Sequence, residues 1–335
     1  MRTIPYIDLR QSSPVQLVEA HADQARALIN ASRNMFGVLS RVLSLIALPL
    51  GDHYSQKWLE RTNNPYRDEI DKYAEIIDVA GVYALNLCFE WGCTSGVFYR
   101  EDGVVLMRVL DWALPALGEN TVVAHQSGNA GDYYNVTWPG MSGIYNAMAP
   151  GRFAASINQA PMRRHNRPFV LDWWTNRLNM RTATGLPPSH LLRKVFETAR
   201  HYQEAKKMLM EEEIALPAIF VLSGISPGEG CVIERTEKDA AVRELQGDRV
   251  CAANHFESRL NKTGYGWRPR PIDSLGRVRM ANSLPIDAIK DNFVWFKKPI
   301  ANSHTRLVMM ANVAKGKLTV MGTAGEKPAT EVFRN

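Results

Sequence analysis

The sequence predicts an α+β fold, in which antiparallel sheets are covered by helices and preceded by a helical N-terminal segment. Three observations support this class. Apolar residues recur at helical spacing through most of residues 1–92. After residue 92 the pattern changes to short apolar runs joined by turns, at 93–110 and again at 218–235. A long amphipathic stretch at 189–210 separates these two regions and supplies a covering helix.

Three helices are predicted within the first 92 residues. The first runs from Pro14 to Asn30, with Pro14 at the first helical position and Ser13 as its cap. The second, Asn34 to Leu48, is strongly apolar and is expected to end at the Pro49–Gly51 stretch. The third runs from Asp68 to Asn86.

The remaining elements follow from the same patterns. A short aromatic-rich helix is predicted over Phe169–Met180, and a long amphipathic helix over Ser189–Met210. A Pro-Gly-Glu-Gly turn at 227–230 joins two apolar runs into a hairpin. The strands predicted in this half of the chain are Ala218–Leu222, Cys231–Arg235, Arg306–Met310 and Lys317–Met321.

The stretch that begins at Cys93 carries the strongest chemical signal. Cys93 opens an apolar run, an Asp-Gly turn follows at 101–103, and the returning run 104–110 carries Arg108 and is followed by Asp111. Two such runs joined by this turn predict a β-hairpin. Because the chain doubles back, the guanidinium and the carboxylate return towards the thiol. The sequence therefore predicts a nucleophile site on a rigid hairpin.

The Cys93 thiol needs activation, because only the thiolate attacks well and an unperturbed Cys titrates at about 8.5. Arg108 would stabilise the thiolate by its charge, and Asp111 would hold or accept a proton. No His is near Cys93 in the sequence, although a dyad with a distant His stays open. Cleavage of the Gly92–Cys93 bond would provide another base, the free α-amine of Cys93, with a pKa near 8.

Three segments, Tyr66–Ile70, Asn86–Glu90 and Cys93–Ser95, resemble the acid ceramidase and N-acylethanolamine acid amidase family. These proteins are N-terminal-nucleophile (Ntn) hydrolases, related to choloylglycine hydrolases and penicillin acylases. The resemblance implies an αββα sandwich of two stacked antiparallel sheets covered by helices. It also implies a precursor that cleaves itself between Gly92 and Cys93, after which Cys93 is the nucleophile and its α-amine is the base.

Further segments extend the resemblance to about residue 280. Trp138–Gly140, Gly143–Tyr145 and Arg152–Asn158 resemble the second hairpin of the family. Ala253–Phe256 resembles the segment with the oxyanion-hole Asn, and Asp273–Arg277 the segment with a late active-site Arg. The resemblance therefore implies five catalytic residues: Cys93, Arg108, Asp111, Asn254 and Arg277. Arg279 is an alternative for the late Arg, because on a strand it would share the face of Arg277.

The resemblance also implies where substrate binds, although the aromatic residues concerned could equally belong to the core. The expected substrate-binding residues are Trp138, Tyr145, Asn158, Gln159, Trp173 and Trp174. Gln159 is close to the position where the amidase branch has a Glu, so acid-triggered maturation is not expected here. The helix over 34–48 is interpreted as buried core, with an acyl-chain tunnel or a membrane-touching surface as the alternative.

Composition further limits the classes of function that the sequence allows. The chain has 335 residues, a net charge of +6 and 45% hydrophobic residues, which suits a packed enzyme. The sequence has no dense basic block interleaved with aromatic residues, so nucleic-acid binding is not predicted. The four cysteines have neither disulfide-framework nor CxxC spacing, so no metal and no cofactor is expected. The start lacks the pattern of a signal peptide, which predicts a cytoplasmic location.

The predicted organisation is one integrated globular unit, with residues 1–92 as the α chain after self-cleavage and 93–335 as the catalytic β chain. The predicted function is a self-processing cysteine amidase that hydrolyses N-acyl amides with fatty-acyl or similar amphiphilic character. An acyltransferase on the same scaffold and a lipid-binding protein that never matures are the alternatives. The expected partners are the small-molecule substrate and a peripheral membrane or micelle surface, and a homo-oligomer is left open.

Overall fold

A computed structural model describes residues 1–33, 38–88, 91–262, 264–266 and 273–335, with the backbone alone for 38–43 and 169. Its helices are α1 (Val15–Ala20), α2 (Ala22–Ser32), α3 (Val38–Arg61), α4 (Arg67–Ile77), α5 (Val82–Asn86), α6 (Phe169–Met180), α7 (Pro188–Thr198), α8 (Tyr202–Glu211) and α9 (Ser274–Ser283).

The strands form two sheets. The first sheet contains β1 (Tyr6–Asp8), β4 (Val122–Gly128), β5 (Gly131–Thr137), β6 (Asn146–Ala149), β7 (Phe153–Gln159), β8 (Ala218–Ser223), β9 (Gly230–Arg235) and β10 (Ala240–Glu244), in that order. The second contains β11 (Arg249–Ala252), β2 (Gly92–Arg100), β3 (Gly103–Asp111), β12 (Thr305–Asn312), β13 (Lys317–Ala324) and β14 (Lys327–Pro328), with β15 (Phe333–Arg334) also paired to β13.

The two sheets are stacked between layers of helices. Strands β2 and β3 of the second sheet pack against β7 and β8 of the first. Helices α7 and α8 cover the outer side of the first sheet, and α9 covers β2 and β11 on the outer side of the second. This arrangement confirms the predicted αββα sandwich.

The alternation of side chains along β3 separates two cores. Leu106 and Leu110 face the first sheet and belong to the core between the sheets. Val105 and Val109 point the other way, into a second core that also contains Trp295. Because side chains alternate along a strand, residue 108 shares the face of 106 and 110. The hairpin therefore directs residue 108 into the space between the sheets, whereas residue 111 shares the opposite face with Val105 and Val109.

The hairpin predictions are confirmed. Strands β2 and β3 pair from Arg100 opposite Gly103 to Gly92 opposite Asp111, so two residues form the turn. Gly103 has φ +115°, a conformation that favours glycine. The hairpin of β8 and β9 and the pair β12 and β13 lie where the sequence predicts them. Helix α6 has the predicted bounds.

Three predicted helices are each interrupted in the structure. The helix over 14–30 is two helices that meet at His21 (φ −130°). The helix over 68–86 is broken at Asp78, which is left-handed with φ 51°. The helix over 189–210 is broken at Ala199, which is extended. Apolar periodicity predicted them as continuous because it reports which face is buried, and both halves of a broken helix can bury the same face.

The predicted end of the second helix at Pro49 is wrong. Helix α3 continues through Pro49 to Arg61, while residues 34–37 lie outside the described residues. A proline deprives the carbonyl four residues earlier of its partner. That residue is Leu45, which is 64% exposed, so water can satisfy the group. Ile46 is 73% exposed as well, so the buried-core interpretation fails for this part of the helix.

The N-terminal segment is connected to the sandwich by a strand. Strand β1 pairs parallel with β4, with Tyr6 opposite Val123 and Asp8 opposite His125. Residues on both sides of the Gly92–Cys93 bond thus contribute strands to the first sheet. No helix within the described residues is long and apolar enough to cross a membrane.

Candidate active site

Cys93 is the second residue of β2 and lies opposite Leu110 of β3, on the face that points towards the first sheet. Its side chain is fully buried. The backbone N–H of Cys93 donates a hydrogen bond to Oδ1 of Asn254 at 2.8 Å, and the thiol is 3.6 Å from the carbonyl oxygen of Ile157. The candidate nucleophile therefore lies at a strand end in a closed interior.

Arg108 lies on the same face of β3, opposite Ser95, and is fully buried. Its guanidinium donates to Oδ1 of Asn158 at 2.6 Å, to Oγ of Ser95 at 3.2 Å and to Oδ1 of Asn146 at 3.1 Å. These partners are neutral, so they do not cancel the charge of the buried cation, and its Nη2 has no hydrogen-bond partner among the described residues. Arg108 can therefore stabilise negative charge on the nearby sulfur.

Asp111 is the last residue of β3 and lies opposite Gly92 on one side and Thr305 on the other. Its Oδ1 accepts a hydrogen bond from Oγ1 of Thr305 at 2.7 Å, and its Oδ2 is 3.5 Å from Nη1 of Arg277. Within the described residues, Oδ2 accepts no hydrogen bond. A carboxylate oxygen with a free acceptor site thus lies at the strand end that carries the Gly92–Cys93 bond.

Asn254 is placed by the pairing of β11 with β2. Ala252 lies opposite Ser95, and two further residues of the same register bring Asn254 opposite Cys93. The side-chain Oδ1 accepts the N–H of Cys93, and Nδ2 donates to the carbonyl oxygen of Gln159 at 2.9 Å. Both ends of the amide are therefore occupied in the uncut chain, and the oxyanion role of Asn254 stays a prediction.

Arg277 lies on helix α9 and not on the strand assumed in the sequence analysis. Helix α9 begins after Asp273, whose side chain accepts the backbone N–H of Gly276 at 2.8 Å and caps the helix. Residues two apart on a helix point in nearly opposite directions. Arg277 is consequently buried, whereas Arg279 is exposed.

The guanidinium of Arg277 connects several groups of the site. It donates to the carbonyl oxygen of Cys93, to Oγ1 of Thr94 at 2.8 Å and to Oδ1 of Asn254 at 2.8 Å. Its ion pair with Asp111 completes the set. Of the two arginines, Arg277 is therefore the one that lies among the predicted site residues.

Burial dominates the electrostatics of the site. It raises the pKa of the Cys93 thiol to about 11, although Arg108 and Arg277 oppose this shift and Asp111 adds to it. Burial also lowers the pKa of Arg277, against the attraction of Asp111. In the uncut chain the thiol is therefore protonated at neutral pH, and the two arginines favour its ionised form.

The predicted substrate-binding residues are distributed over four places. Asn158 lies inside the site as the partner of Arg108. Gln159 and Trp173 line a cavity of about 720 Å³ at the ends of β7 and β8. Trp174 is 54% exposed on the outer side of α6 and is not brought to the site. Trp138 and Tyr145 are fully buried in an aromatic cluster.

Several residues of this site were missed in the sequence analysis. Thr94 and Ser95 follow Cys93 directly, and the period-two alternation could have placed Ser95 on the face of the thiol. Ser274 accepts the backbone N–H of Asn254 at 2.9 Å, and its hydroxyl is 2.8 Å from Nδ1 of His255. Others that carried no sequence signal are Thr305 and Asn146, since long segments separate them from Cys93.

Proteins of known function are similar to this chain over most of its length. It is 30% identical over 327 residues to the acid ceramidase of Balaenoptera acutorostrata scammoni, covering 90% of this chain and 80% of that protein. It is 28% identical over 324 residues to the acid ceramidase of Rattus norvegicus, with the same coverage. No family model matches the chain.

A solved structure supports the fold. The Caenorhabditis elegans N-acylethanolamine-hydrolyzing acid amidase ortholog superposes with a TM-score of 0.52 at 20% identity, covering 66% of this chain and 93% of that one. This likeness confirms the predicted Ntn-hydrolase fold. Together with the identity to the ceramidases over nine-tenths of its length, it leads to one conclusion: this chain belongs to the acid ceramidase family.

Proposed function

We propose that this chain cleaves its own Gly92–Cys93 bond and then hydrolyses the amide bond of N-acyl amides with Cys93 as the N-terminal nucleophile. Members of the acid ceramidase family are hydrolases that act on amide bonds, and this chain is one of them. The self-cleavage, and the preference for fatty-acyl or similar amphiphilic substrates, are the proposed part.

One observation supports self-cleavage above the others. The backbone nitrogen of Cys93, which would become the α-amine, already donates to Asn254, and Arg277 holds the adjacent carbonyl. The carboxylate of Asp111 faces Arg277 with one oxygen free of hydrogen bonds from the described residues. A buried peptide N–H needs one acceptor, but it does not need a neighbouring arginine and carboxylate as well, whereas a catalytic amine needs groups that orient it.

Maturation would proceed through an acyl shift. The Cys93 sulfur attacks the carbonyl carbon of Gly92, the bond from that carbon to the Cys93 nitrogen breaks, and the nitrogen takes up the thiol proton. Water then hydrolyses the Gly92 thioester and leaves a free α-amine beside the thiol. Arg108 and Arg277 lower the pKa of the thiol against the effect of burial, which favours the attack.

Turnover would repeat this chemistry, the attack by sulfur and the hydrolysis of the thioester, on an external amide. The thiolate attacks the substrate carbonyl, and the α-amine transfers the proton to the leaving amine. Asn254 contacts the backbone nitrogen of the nucleophile and carries an amide donor, but its Nδ2 would have to leave the Gln159 carbonyl to reach the oxyanion. Water then releases the acyl group.

Intact-mass analysis of the purified protein tests the proposal. We expect the wild type as two chains, 1–92 and 93–335, and the Cys93→Ala variant as one uncut chain. Cys251→Ala is the matched control, because Cys251 is a buried strand thiol beside β2 with no place in the mechanism, and this variant should be cut. A wild type that stays uncut from about pH 5 to about pH 9 would favour the lipid-binding alternative.

The pH dependence of cleavage provides a second readout in the same experiment. Because burial raises the pKa of Cys93 to about 11, the thiolate fraction grows about tenfold per pH unit throughout the neutral range. Cleavage should therefore accelerate as the pH rises. The neutral Gln159, which lines the adjoining cavity, provides no carboxyl that acid could switch. Faster cleavage at about pH 5 than at about pH 8 would contradict this mechanism.

We also propose that the protein takes its substrate from a lipid or micelle surface, through the exposed apolar sides of α3 and α6. Leu45 and Ile46 on α3 are 64% and 73% exposed, and Val170 and Leu171 on α6 are 60% and 52% exposed. The two helices are neighbours, since the Arg181 guanidinium after α6 lies over the Tyr54 ring of α3. Exposed apolar residues on two neighbouring helices suit an interface with lipid.

A vesicle-sedimentation assay with phosphatidylcholine tests this contact. Ile46→Asp should reduce the bound fraction about tenfold, because a carboxylate cannot enter the acyl region without a large desolvation cost. Its hydrolysis of a short, water-soluble acyl amide should not change. Val294→Asp is the matched control, because Val294 is 50% exposed on a different part of the surface. Equal loss of binding in both variants would mean that no specific surface is involved.

A cytoplasmic location remains a prediction. The four cysteines are free thiols in the structure, which suits a reducing compartment.

A further inference from the structure

The backbone of Asn254 is held by a side chain from another element. The pairing of β11 with β2 ends with Ala252 opposite Ser95, so the N–H of Asn254 lies beyond the paired strands. This N–H donates to Oγ of Ser274 at 2.9 Å. Ser274 is the first residue of α9 and is only 2% exposed. A buried backbone donor needs an acceptor, and here the start of α9 provides it.

Helix α9 holds Asn254 at a second point as well. Arg277, three residues after Ser274, donates to the side-chain Oδ1 of Asn254 at 2.8 Å. The same Oδ1 accepts the backbone N–H of Cys93. Ser274 thus fixes the main chain of Asn254, and Arg277 fixes its side chain. The first turn of α9 therefore determines where the amide group of Asn254 lies relative to the candidate nucleophile.

The Ser274 hydroxyl has a further partner, which determines the direction of its own hydrogen. Its Oγ lies 2.8 Å from Nδ1 of His255. Nε2 of the same ring is 3.3 Å from Oε1 of Glu257, and a carboxylate oxygen can only accept. In the neutral imidazole the proton therefore lies on Nε2, and Nδ1 accepts from the hydroxyl. The hydroxyl oxygen is thereby left free to accept the N–H of Asn254.

Glu257 is fixed in turn from the edge of the first sheet. Nη1 of Arg243 on β10 is 2.7 Å from its Oε2, and its backbone N–H donates to Oε1 of Glu234 on β9 at 2.9 Å. Burial raises the pKa of the Glu257 carboxyl, but His255 and Arg243 outweigh this effect and hold the pKa below its usual value. The ionised carboxylate therefore keeps the His255 ring in this orientation.

We propose that His255 and Ser274 are positioning residues for Asn254. A series of hydrogen bonds runs from the Asn254 backbone through Ser274 and His255 to Glu257. It holds Asn254 in the place from which its side chain reaches the N–H of residue 93. This inference rests on the proposed function and adds two residues to its site. Both act through Asn254 and not on the reacting atoms.

Serine, histidine and a carboxylate in this order also form hydrolytic triads. Two observations argue against a second nucleophile at Ser274. The residue is almost fully buried, whereas a nucleophile must be open to its substrate. Its oxygen also accepts the N–H of Asn254, and an attack by this oxygen would break that hydrogen bond. The arrangement suits the support of a neighbouring residue better than a second reaction.

The first experiment measures kcat and KM of the cut protein with octanoyl p-nitroanilide, with kcat referred to the cut fraction. Ser274→Ala should lower kcat about 10- to 100-fold, as expected for a displaced catalytic group, and should leave KM unchanged. Ser274→Thr keeps the hydroxyl and should restore most of the rate. If Ser274→Ala does not fold, His255→Phe takes its place with the same direction of effect. His255→Asn, whose amide can replace Nδ1, is then its conservative partner.

Thr330→Val is the matched control. Oγ1 of Thr330 accepts the backbone N–H of Gly322 on β13 at 2.9 Å, and Thr330 is as buried as Ser274. Both substitutions leave a buried backbone donor without its acceptor, so both should lower the midpoint of urea unfolding. Only Ser274→Ala should lower kcat. An equal kcat in the two variants would mean that Ser274 has a structural role alone, and would overturn the proposal.

The second experiment does not depend on catalysis. Amide hydrogen exchange at residue 93 is measured in the uncut Cys93→Ala protein, where the backbone N–H of this residue keeps Asn254 as its acceptor. Adding Ser274→Ala should accelerate this exchange about tenfold, and adding Thr330→Val should not. An unchanged exchange rate would overturn the positioning role, whether or not any amide is hydrolysed. Faster exchange together with a wild type that hydrolyses no amide would contradict the amidase function alone.

Discussion

Replacing Arg277 by Met is expected to abolish self-cleavage and amide hydrolysis, whereas the same change at Arg279 should leave both intact. Arg277 is buried and holds the Cys93 carbonyl, Thr94 and Asn254, with Asp111 as its ion-pair partner. The loss of its polar contacts alone should lower the rate about 10²- to 10³-fold. It would also leave a buried carboxylate without its counter-charge, at a cost of about 3–5 kcal/mol in unfolding free energy.

The matched pair separates this effect from a general change of charge on α9. Arg279 is exposed on the same helix, two residues away, and donates to the carbonyl oxygen of Leu275. Intact mass, kcat/KM and the midpoint of urea unfolding are measured for both variants. A cut and active Arg277→Met protein would remove Arg277 from the catalytic set.

Glu69→Ala should lower the unfolding free energy by about 3 kcal/mol, the lower end for a broken buried ion pair, because Glu197 still pairs with Arg193. Arg193 on α7 donates to both carboxylate oxygens of Glu69 on α4, at 2.6 and 2.8 Å, and to Glu197 at 2.8 Å. Burial lowers the pKa of Arg193, but these two carboxylates outweigh it and raise the pKa well above its ordinary value. Removing the Glu69 carboxylate would therefore leave the buried guanidinium with less counter-charge.

This ion pair joins residues on opposite sides of the Gly92–Cys93 bond. In the cut protein, Glu69→Ala should therefore also loosen the association of the two chains, which size-exclusion chromatography at high dilution would detect. Asp23→Ala is the control, because the Asp23 side chain is 99% exposed and its pair with Arg26 is a surface pair, which contributes about 0–1 kcal/mol. Equal urea midpoints for the two variants would mean that the Glu69 pair adds nothing to stability.

The site could be predicted where the functional residues lie close together in sequence and on one local element. The β2–β3 hairpin is of this kind, because its turn and its alternation determine the register that returns Arg108 and Asp111 to Cys93. Asn254 and Arg277 could be assigned by resemblance alone, since the contacts that place them are made by the pairing of β11 with β2 and by α9.

What could not be predicted depends on tertiary packing. Whether Arg277 or Arg279 faces the thiol depends on α9 being a helix, and nothing in its pattern distinguished it from a strand. The breaks at His21 and Ala199 leave the apolar periodicity intact, so the sequence showed buried faces but not continuity. Thr305 reaches Asp111 from a strand 194 residues away, which no local pattern reports.

Strand β1 has a consequence for how such a protein can be made. Strand β1 (Tyr6–Asp8) pairs with β4, and the chain between these two strands contains the Gly92–Cys93 bond that is proposed to be cut. Before the cut, β1 meets its neighbour within one molecule, and the connection raises its effective concentration. After the cut, the same pairing is an encounter between two molecules. A denatured mature enzyme would then have lost the covalent connection that was present during its first folding. Only the precursor would hold β1 and β4 in one chain while they pair.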